Sequence, residues 1–233
     1  MNSVVREILL DFIALFYPRY CLACECALVN GEDIVCTSCM LEMPMTDYHL
    51  DKENSFYQKL RTRLSVKYVM ALFKFTKESR IQNLLHTMKY KNHPEIGIML
   101  GKLYGSELLN ANYKDEFDLI IPIPLHISRK RVRGYNQSAE FGKGLSTVLN
   151  IPCKEEIVER MVKTETQTKK TRLNRWENVK EVFRVIKPDE IVNKKILLVD
   201  DIITTGATLE ACAKLLLNHK CKDVSIACIA AVH

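Results

Sequence analysis

The stretch Ile196-Leu-Leu-Val-Asp-Asp-Ile-Ile-Thr-Thr-Gly-Ala-Thr208 decides the fold of this chain. Its first four residues are apolar and predict a buried strand, which two carboxylates and a short loop of threonine and glycine follow. Apolar residues then repeat at helical spacing and give the next helix one stripe that faces the sheet: Leu209, Cys212, Ala213, Leu216 and Leu217. A strand that leads into a helix in this way is one step of an α/β sheet.

Further strand and helix patterns alternate along the chain. Strands are predicted at 66–75, 118–124, 156–161, 182–186, 196–199 and 224–232, and helices at 81–88, 94–109 and 136–149. Gly97 and Gly101 are separated by three residues, and Leu103 stands where a phosphate-binding P-loop needs Ser or Thr, so no P-loop is predicted. The alternation predicts a parallel sheet, in which ligands bind at the carboxyl ends of the strands.

Five of the nine cysteines lie close together near the N-terminus. Cys21 and Cys24 form one C-x-x-C pair and Cys36 and Cys39 form another, so four thiolates could close on one structural Zn²⁺ at about 2.3 Å. Cys26 is one residue too close to Cys24 for such a pair, although its use as a ligand stays open. Free or redox-active thiols are the alternative. We therefore divide the chain into an N-terminal helix and zinc module at 1–50 and a larger domain at 51–233.

The chain of 233 residues has a net charge of +6, and this charge is unevenly spread. Residues 1–50 are acidic, whereas two short segments, 129–133 and 160–180, carry most of the excess of cations. No apolar run approaches the roughly 20 residues that a membrane span needs, and the odd number of cysteines argues against paired disulfides. A cytoplasmic protein with an anionic ligand is the expectation.

The acid pair Asp200-Asp201 directly precedes a loop that suits a phosphate, and this arrangement of like charges requires an explanation. Two adjacent carboxylates repel each other unless each accepts hydrogen bonds or lies near a cation. The free N–H groups at the start of the next helix would bind a phosphate. A ribose 5-phosphate meets both requirements, with its vicinal hydroxyls on the acids and its phosphate on the loop.

This segment resembles the phosphoribosyl-pyrophosphate (PRPP) motif of type I phosphoribosyltransferases. Two other stretches narrow the resemblance: PIPLH at 122–126 followed by RGYNQ at 133–137, and the spaced residues Gln167, Leu173, Arg175, Asn178 and Phe183. Together with the four-cysteine pattern, they make the whole chain resemble the competence protein F (ComF) family, which is similar to amidophosphoribosyltransferases.

The resemblance implies an α/β type I phosphoribosyltransferase fold with a small hood, and it implies roles for particular residues. Asp200 and Asp201 would hold the ribose hydroxyls of Mg²⁺-bound PRPP. The 5-phosphate would lie on Thr204, Thr205, Gly206, Ala207 and Thr208. The pyrophosphate would face Arg129, Arg133, Asn136 and Gln137. A mobile loop would close over it and bring the cations Lys169, Lys170, Arg172 and Arg175.

The implied activity is transfer of phosphoribosyl from Mg-PRPP to an unidentified nitrogen acceptor, an amine or a base, with a family link to competence and DNA uptake. Thr204 stands where 6-oxopurine transferases have a proton-handling Asp, which disfavours hypoxanthine or guanine. Two rivals are a single-stranded-DNA-binding protein and a PRPP sensor without turnover, either working with DNA-uptake proteins. A homodimer is compatible with all three.

Overall fold

The structure, a computed structural model, describes Phe12, residues 16–161 and residues 183–232. In chain order, the elements of this part are α1 (Thr37–Glu42), α2 (Ser55–Arg61), β1 (Val69–Phe75), α3 (Arg80–Tyr90), α4 (Pro94–Asn110), β2 (Leu119–Pro122), α5 (Ile127–Arg133), α6 (Gln137–Leu149), β3 (Val158–Arg160), β4 (Phe183–Val185), β5 (Lys195–Ile203), α7 (Ala207–Asn218) and β6 (Asp223–Val232). None of the helices in the described ranges is long and apolar enough to cross a membrane.

Strands β1, β6, β5 and β2 form one sheet in that order, and all the neighbouring strands are parallel. Apolar side chains point to both faces, as expected for a parallel sheet that helices cover on each side. Helices α3, α4 and α6 contribute to the hydrophobic cluster on one face, and α2 and α7 to the cluster on the other. The predicted fold, a parallel sheet flanked by helices, is confirmed.

Strand β5 is longer than the predicted strand, which ended at Val199. Its pairing with β6 continues through Asp200, which lies opposite Cys228, to Ile203, which lies opposite Ala231. The acid pair therefore lies within the last part of the strand rather than beyond it. Because the strand fixes their backbone, the two carboxylates stand on a rigid element.

The predicted strands at 156–161 and 182–186 exist in shortened form, but they are not part of the parallel sheet. Strands β3 and β4 pair with each other in antiparallel fashion and form a separate two-stranded sheet. Only Val158 and Phe183 are buried, whereas the other strand residues are at least partly exposed. A strand inside a parallel sheet needs apolar residues on both faces. Strand β4 of this small sheet contacts α7. The small sheet corresponds to the hood of the predicted fold.

The four-cysteine segment packs directly on the central sheet. Cys39 and Met43 are buried in the same hydrophobic cluster as Leu72 of β1. The backbone N–H of Thr46 donates to the carbonyl of Leu72 at 3.1 Å, so the chain after α1 runs along the edge of the sheet. At α3, the Asn83 side chain donates to the carbonyl of Ala23 at 3.1 Å. That residues 1–50 form a separate domain stays a prediction.

Helices α4 and α6 approach each other closely through glycine. A Cβ atom added at Gly101 would lie 2.2 Å from the carbonyl oxygen of Phe141 and 2.8 Å from the Cα of Gly144. A Cβ added at Gly144 would lie 2.2 Å from the carbonyl oxygen of Ile98. Gly101 therefore serves helix packing, in agreement with the absence of a P-loop.

We expect Gly101→Ala to lower the free energy of unfolding by about 1–3 kcal/mol, because backbone atoms cannot move aside for the added methyl group. Urea denaturation followed by circular dichroism measures this change. Lys102→Ala, at the neighbouring exposed position, serves as the control and should change stability by less than about 0.5 kcal/mol. Equal stability of Gly101→Ala and the wild type would contradict the packing argument.

Candidate functional site

The acid pair has a separate partner for each carboxylate. The Ser138 hydroxyl donates to Asp200 Oδ1 at 2.8 Å, and the backbone N–H of Asp201 donates to the same oxygen at 2.9 Å. Asp201 Oδ2 lies 2.6 Å from Lys89 Nζ. Strand β5, the first turn of α6 and the last turn of α3 therefore meet at this point. Ser138, the Asp201 N–H and Lys89 therefore offset the repulsion between the two carboxylates.

Burial shifts the ionisation of Asp200. Burial and the neighbouring charge of Asp201 raise the pKa of Asp200 to about 7, although the Ser138 hydroxyl, the Asp201 N–H and the charge of Lys89 act in the opposite direction. A carboxyl group with a pKa near 7 exchanges its proton in the neutral range, and ligand groups that bind its anion must compete with that proton.

The loop after β5 has the form predicted for a phosphate site. Gly206 caps helix α7 with a φ of 77°, which favours glycine, and an added Cβ would lie 3.0 Å from Leu60 Cδ2. The N-cap Gly206 has no side chain to accept from the first turn of α7, and the Thr205 hydroxyl accepts from the N–H of Ala207 at 3.4 Å. Asp200 and residues 202–209 line a small open cavity of about 50 Å³ here.

The first basic segment, 129–133, forms most of helix α5, where no helix was predicted. None of its residues is buried. The guanidinium of Arg133 lies over the Tyr90 ring, 5.4 Å from its centroid, and donates to Gln137 Oε1 at 2.9 Å. These contacts fix Arg133 beside the first turn of α6, near Ser138.

Asn136 and Gln137 were expected to face pyrophosphate, and both side chains are buried. The Asn136 side chain donates to the carbonyl of Ile123 at 3.0 Å and accepts from the N–H of Ser138 at 3.2 Å. It therefore ties the end of β2 to the start of α6. Gln137 holds Arg133 in the same region. Both residues support the site from beneath its surface.

Arg160 was missed by the sequence reasoning as a residue of this site. It ends β3, and its guanidinium lies over the Phe183 ring at 5.6 Å from the centroid. Burial and the charge of Arg129 lower the pKa of Arg160, while Asp200 raises it. Arg129 and Arg160 form no ion pair with an acid in the described ranges. Arg160 thus interacts with both Asp200 and Arg129, and two neighbouring cations without an acidic partner in the described part would suit an anion.

The cations Lys169, Lys170, Arg172 and Arg175, predicted on a closing loop, lie outside the described residues, as does most of the predicted N-terminal helix. Arg160 and Phe183 lie close to the two ends of the range 162–182, which is not described, and they are paired opposite each other in the small sheet. That these four cations belong to the site stays a prediction.

The four predicted zinc ligands lie together. The Sγ atoms of Cys21, Cys24, Cys36 and Cys39 are all within 4.8 Å of one another. Those of Cys21 and Cys39 are 3.8 Å apart, and those of Cys24 and Cys36 are 3.7 Å apart. Tetrahedral bonds of about 2.3 Å to one Zn²⁺ would separate sulfur atoms by about 3.8 Å. The cluster could hold a metal ion, and its geometry fits zinc.

Backbone N–H groups further favour a thiolate in this cluster. Burial alone would raise the pKa of Cys21, but N–H groups, including those of Cys36 and Ala23, lower it to about 7. Burial and the neighbouring sulfur atoms instead raise the pKa of Cys39. Cys26 is exposed and is not part of the cluster.

A parallel sheet, an acid pair at the carboxyl end of a central strand and a glycine-capped helix beside it define a phosphoribosyl transferase domain. The family model of that description matches residues 86–233, and the chain belongs to this family. The match begins in α3 and includes every element of the acid-pair site.

Among curated proteins, the chain is similar to proteins named for competence and DNA utilization. The chain is 28% identical to competence protein F of Haemophilus influenzae over 222 residues, which cover 91% of this chain and 96% of that protein. It is 33% identical to DNA utilization protein YhgH of Shigella flexneri over 149 residues, 63% of this chain and 65% of that protein. It is 25% identical to competence protein ComFC of Bacillus subtilis over 86% of this chain and 78% of that protein.

Proposed function

We propose that the protein binds Mg-PRPP at the carboxyl end of β5 and transfers its phosphoribosyl group to a nitrogen acceptor. The observation that carries this proposal is the position of Asp200 and Asp201 near the end of β5, where Asp200 lines one cavity together with the glycine-capped start of α7. The carboxylates would accept the two ribose hydroxyls. The N–H groups between Thr204 and Thr208 would donate to the 5-phosphate.

In the reaction, the bond from C1 of ribose to the pyrophosphate oxygen breaks and a bond from C1 to the acceptor nitrogen forms. The pyrophosphate leaves with the electron pair, and the nitrogen loses its proton to water. The bound Mg²⁺ would neutralise part of the pyrophosphate charge. The chain contributes by orienting the ribose and by stabilising negative charge as it develops.

The cations of the site would lie on the pyrophosphate side. Arg129 and Arg160 have no acidic partner among the described residues, and Arg133 is held in place by Tyr90 and Gln137. Lys169, Lys170, Arg172 and Arg175 would add charge when the loop closes. Asn136 and Gln137 would act by positioning α6 and Arg133 rather than by touching the ligand.

A second candidate function is binding of single-stranded DNA, with or without PRPP sensing. The exposed surface of α5 favours it, because Arg129, Lys130 and Arg131 are all exposed and only Lys130 has an acid within 4.0 Å in the described part, Glu155 at 3.6 Å. The relatives are named for competence and DNA utilization. Such a surface would bind the phosphates of DNA with a strong dependence on salt.

Two titrations separate these functions. We expect wild-type protein to bind Mg-PRPP in isothermal titration calorimetry, and Asp201→Asn to lose that binding while keeping its affinity for oligo-dT. Arg131→Gln should do the reverse if α5 binds DNA, because Arg131 is exposed on this helix. Absence of Mg-PRPP binding by the wild type would overturn the proposed function.

Release of pyrophosphate separates a transferase from a sensor. An enzyme-coupled pyrophosphate assay with ammonia, glutamine, nucleobases and nucleotides as acceptors tests turnover directly. Binding of PRPP without release under any acceptor would favour sensing. The zinc in the cysteine cluster, the cytoplasmic location and the homodimer stay predictions.

A further inference from the structure

Lys89 is the only cation of the described chain that forms an ion pair with the acid pair. Its Nζ atom lies 2.6 Å from Asp201 Oδ2, and both side chains are 18% exposed. The other lysine near the end of α3 is far more exposed: Lys91, two residues later, pairs with Glu25 at 3.7 Å and is 56% exposed. Lys89 is therefore held in a partly buried place that its neighbour does not share.

The last turn of α3 is anchored so that Lys89 keeps this position. Met88, the preceding residue, is fully buried in the core. The Tyr135 hydroxyl donates to the carbonyl of Met88. Tyr90, the following residue, lies under the guanidinium of Arg133. Contacts on both sides of Lys89 thus link α3 to the turn between α5 and α6, where Ser138 reaches Asp200.

We propose that Lys89 is a positioning residue of the PRPP site, whose ammonium group is the internal counter-ion of the acid pair and aims Asp201 to receive a ribose hydroxyl. This inference rests on the proposed function. Lys89 does not need to touch PRPP: it acts through Asp201 and, by its charge, on Asp200. The acid pair can then bind hydroxyls at neutral pH without first binding a separate cation.

The charged and titratable groups around Asp200 support this assignment. Asp201 on the same strand disfavours its anion, whereas Lys89 on α3 and Arg160 on β3 favour it. Cys212 on α7 and Cys228 on β6 also face it, but burial raises the pKa of both thiols far above neutrality, so they carry no charge there. Lys89 and Arg160 are therefore the cations that oppose the repulsion.

Three variants test the inference. Lys89→Met keeps the length of the side chain and removes its charge, Lys89→Arg keeps the charge, and Lys91→Met removes the neighbouring exposed charge as a matched control. The first readout needs no ligand: the titration midpoint of the Asp200 carboxyl carbon, followed by NMR with ¹³C-labelled aspartate and assigned with Asp200→Asn. We expect Lys89→Met to raise this midpoint by about one pH unit, and Lys91→Met to leave it unchanged.

The second readout is the affinity for Mg-PRPP as a function of pH. In the wild type, affinity should rise as Asp200 ionises near pH 7 and then level off. Lys89→Met should bind about fivefold more weakly at pH 7 and move this rise to higher pH, while Lys89→Arg should restore most of the affinity. A circular dichroism melt of each variant confirms that it is folded.

The outcomes distinguish this inference from the proposed function. An unchanged Asp200 midpoint in folded Lys89→Met would overturn the role of Lys89, whether or not PRPP binds. A raised midpoint in a protein that fails to bind Mg-PRPP would leave the counter-ion role in place and overturn the proposed function. Equal losses of PRPP affinity in Lys89→Met and Lys91→Met would show that Lys89 acts only through the overall charge of the surface. That result would also overturn the inference.

Discussion

The Asp200→Asn variant is expected to lose about 100-fold in affinity for Mg-PRPP and to gain stability at pH 8. The loss follows because a neutral amide replaces an anionic acceptor of the ribose hydroxyls, and hydrogen bonds to charged groups contribute about 1.5–3 kcal/mol each. A loss of about 2.7 kcal/mol corresponds to 100-fold in the dissociation constant. Calorimetric titration with Mg-PRPP measures it.

The gain in stability has a different cause, which is the removal of a carboxylate whose anion is disfavoured by burial in the folded protein. In the folded protein the pKa of Asp200 is raised to about 7, whereas an unfolded chain has an aspartate pKa near 3.9. Between about pH 4 and pH 7 the folded state therefore holds the proton that the unfolded state has lost, and the contribution of Asp200 to stability falls as pH rises through this window. Above pH 7, the groups of the described chain that favour the anion are the Ser138 hydroxyl, the Asp201 N–H and the charges of Lys89 and Arg160, and they do not offset its burial. Asparagine removes this titration.

Urea denaturation at pH 5 and pH 8 measures the stability effect. We expect Asp200→Asn to be about 2–4 kcal/mol more stable than the wild type at pH 8 and closer to it at pH 5. Asp189→Asn, at an exposed position away from the site, is the control and should change neither property. Unaltered PRPP affinity in Asp200→Asn would contradict the ribose assignment, and lower stability at pH 8 would contradict the burial argument.

Loss of the metal from the cysteine cluster is expected to have the largest effect on stability. Structural zinc sites contribute on the order of 10 kcal/mol to folding, which is comparable to the whole stability of a typical domain. The buried Cys39 belongs to the same hydrophobic cluster as β1, so the effect should reach beyond residues 21–39. Purified protein should contain one zinc per chain, and Cys39→Ser should lose it and melt at a much lower temperature.

Atomic emission for zinc content and a thermal melt by circular dichroism check this prediction. Cys26→Ser is the matched control, since Cys26 lies in the same segment but is exposed and outside the cluster. It should keep both the metal and the melting temperature. A full equivalent of zinc in Cys39→Ser, or an unchanged melt after treatment of the wild type with a chelator, would show that the four thiols do not form a structural metal site.

Metal loss should also reach the acid-pair site through α3. The Asn83 amide and the Arg80 guanidinium, in the first half of this helix, contact Ala23 and Glu42 of the cysteine segment, and Lys89 lies at its other end. The helix therefore connects the two sites within the described chain. Through this connection, loss of metal from the cysteine cluster would disturb the position of Lys89 beside Asp201.

The sequence predicted the main features of the fold because they depend on local patterns. The apolar run at 196–199, the acid pair and the spacing of Leu209, Cys212 and Leu216 are sufficient to predict a strand, a binding loop and a helix. The two C-x-x-C pairs predicted the four sulfur atoms that lie within 4.8 Å of one another. Each of these predictions rests on residues that are close together in the chain.

What the sequence by itself determined was therefore the parallel sheet, the strand and helix around the acid pair, and the spacing of the four clustered cysteines. Only the tertiary structure decided which distant groups meet them: Lys89 lies more than 100 positions before Asp201, and Ser138 lies 62 positions before Asp200. The pairing of β3 with β4, and the place of Arg160, also emerged only there. The physical reason is that partners of a buried charge are chosen by the packing of whole helices on the sheet, and no periodicity in the chain records that choice.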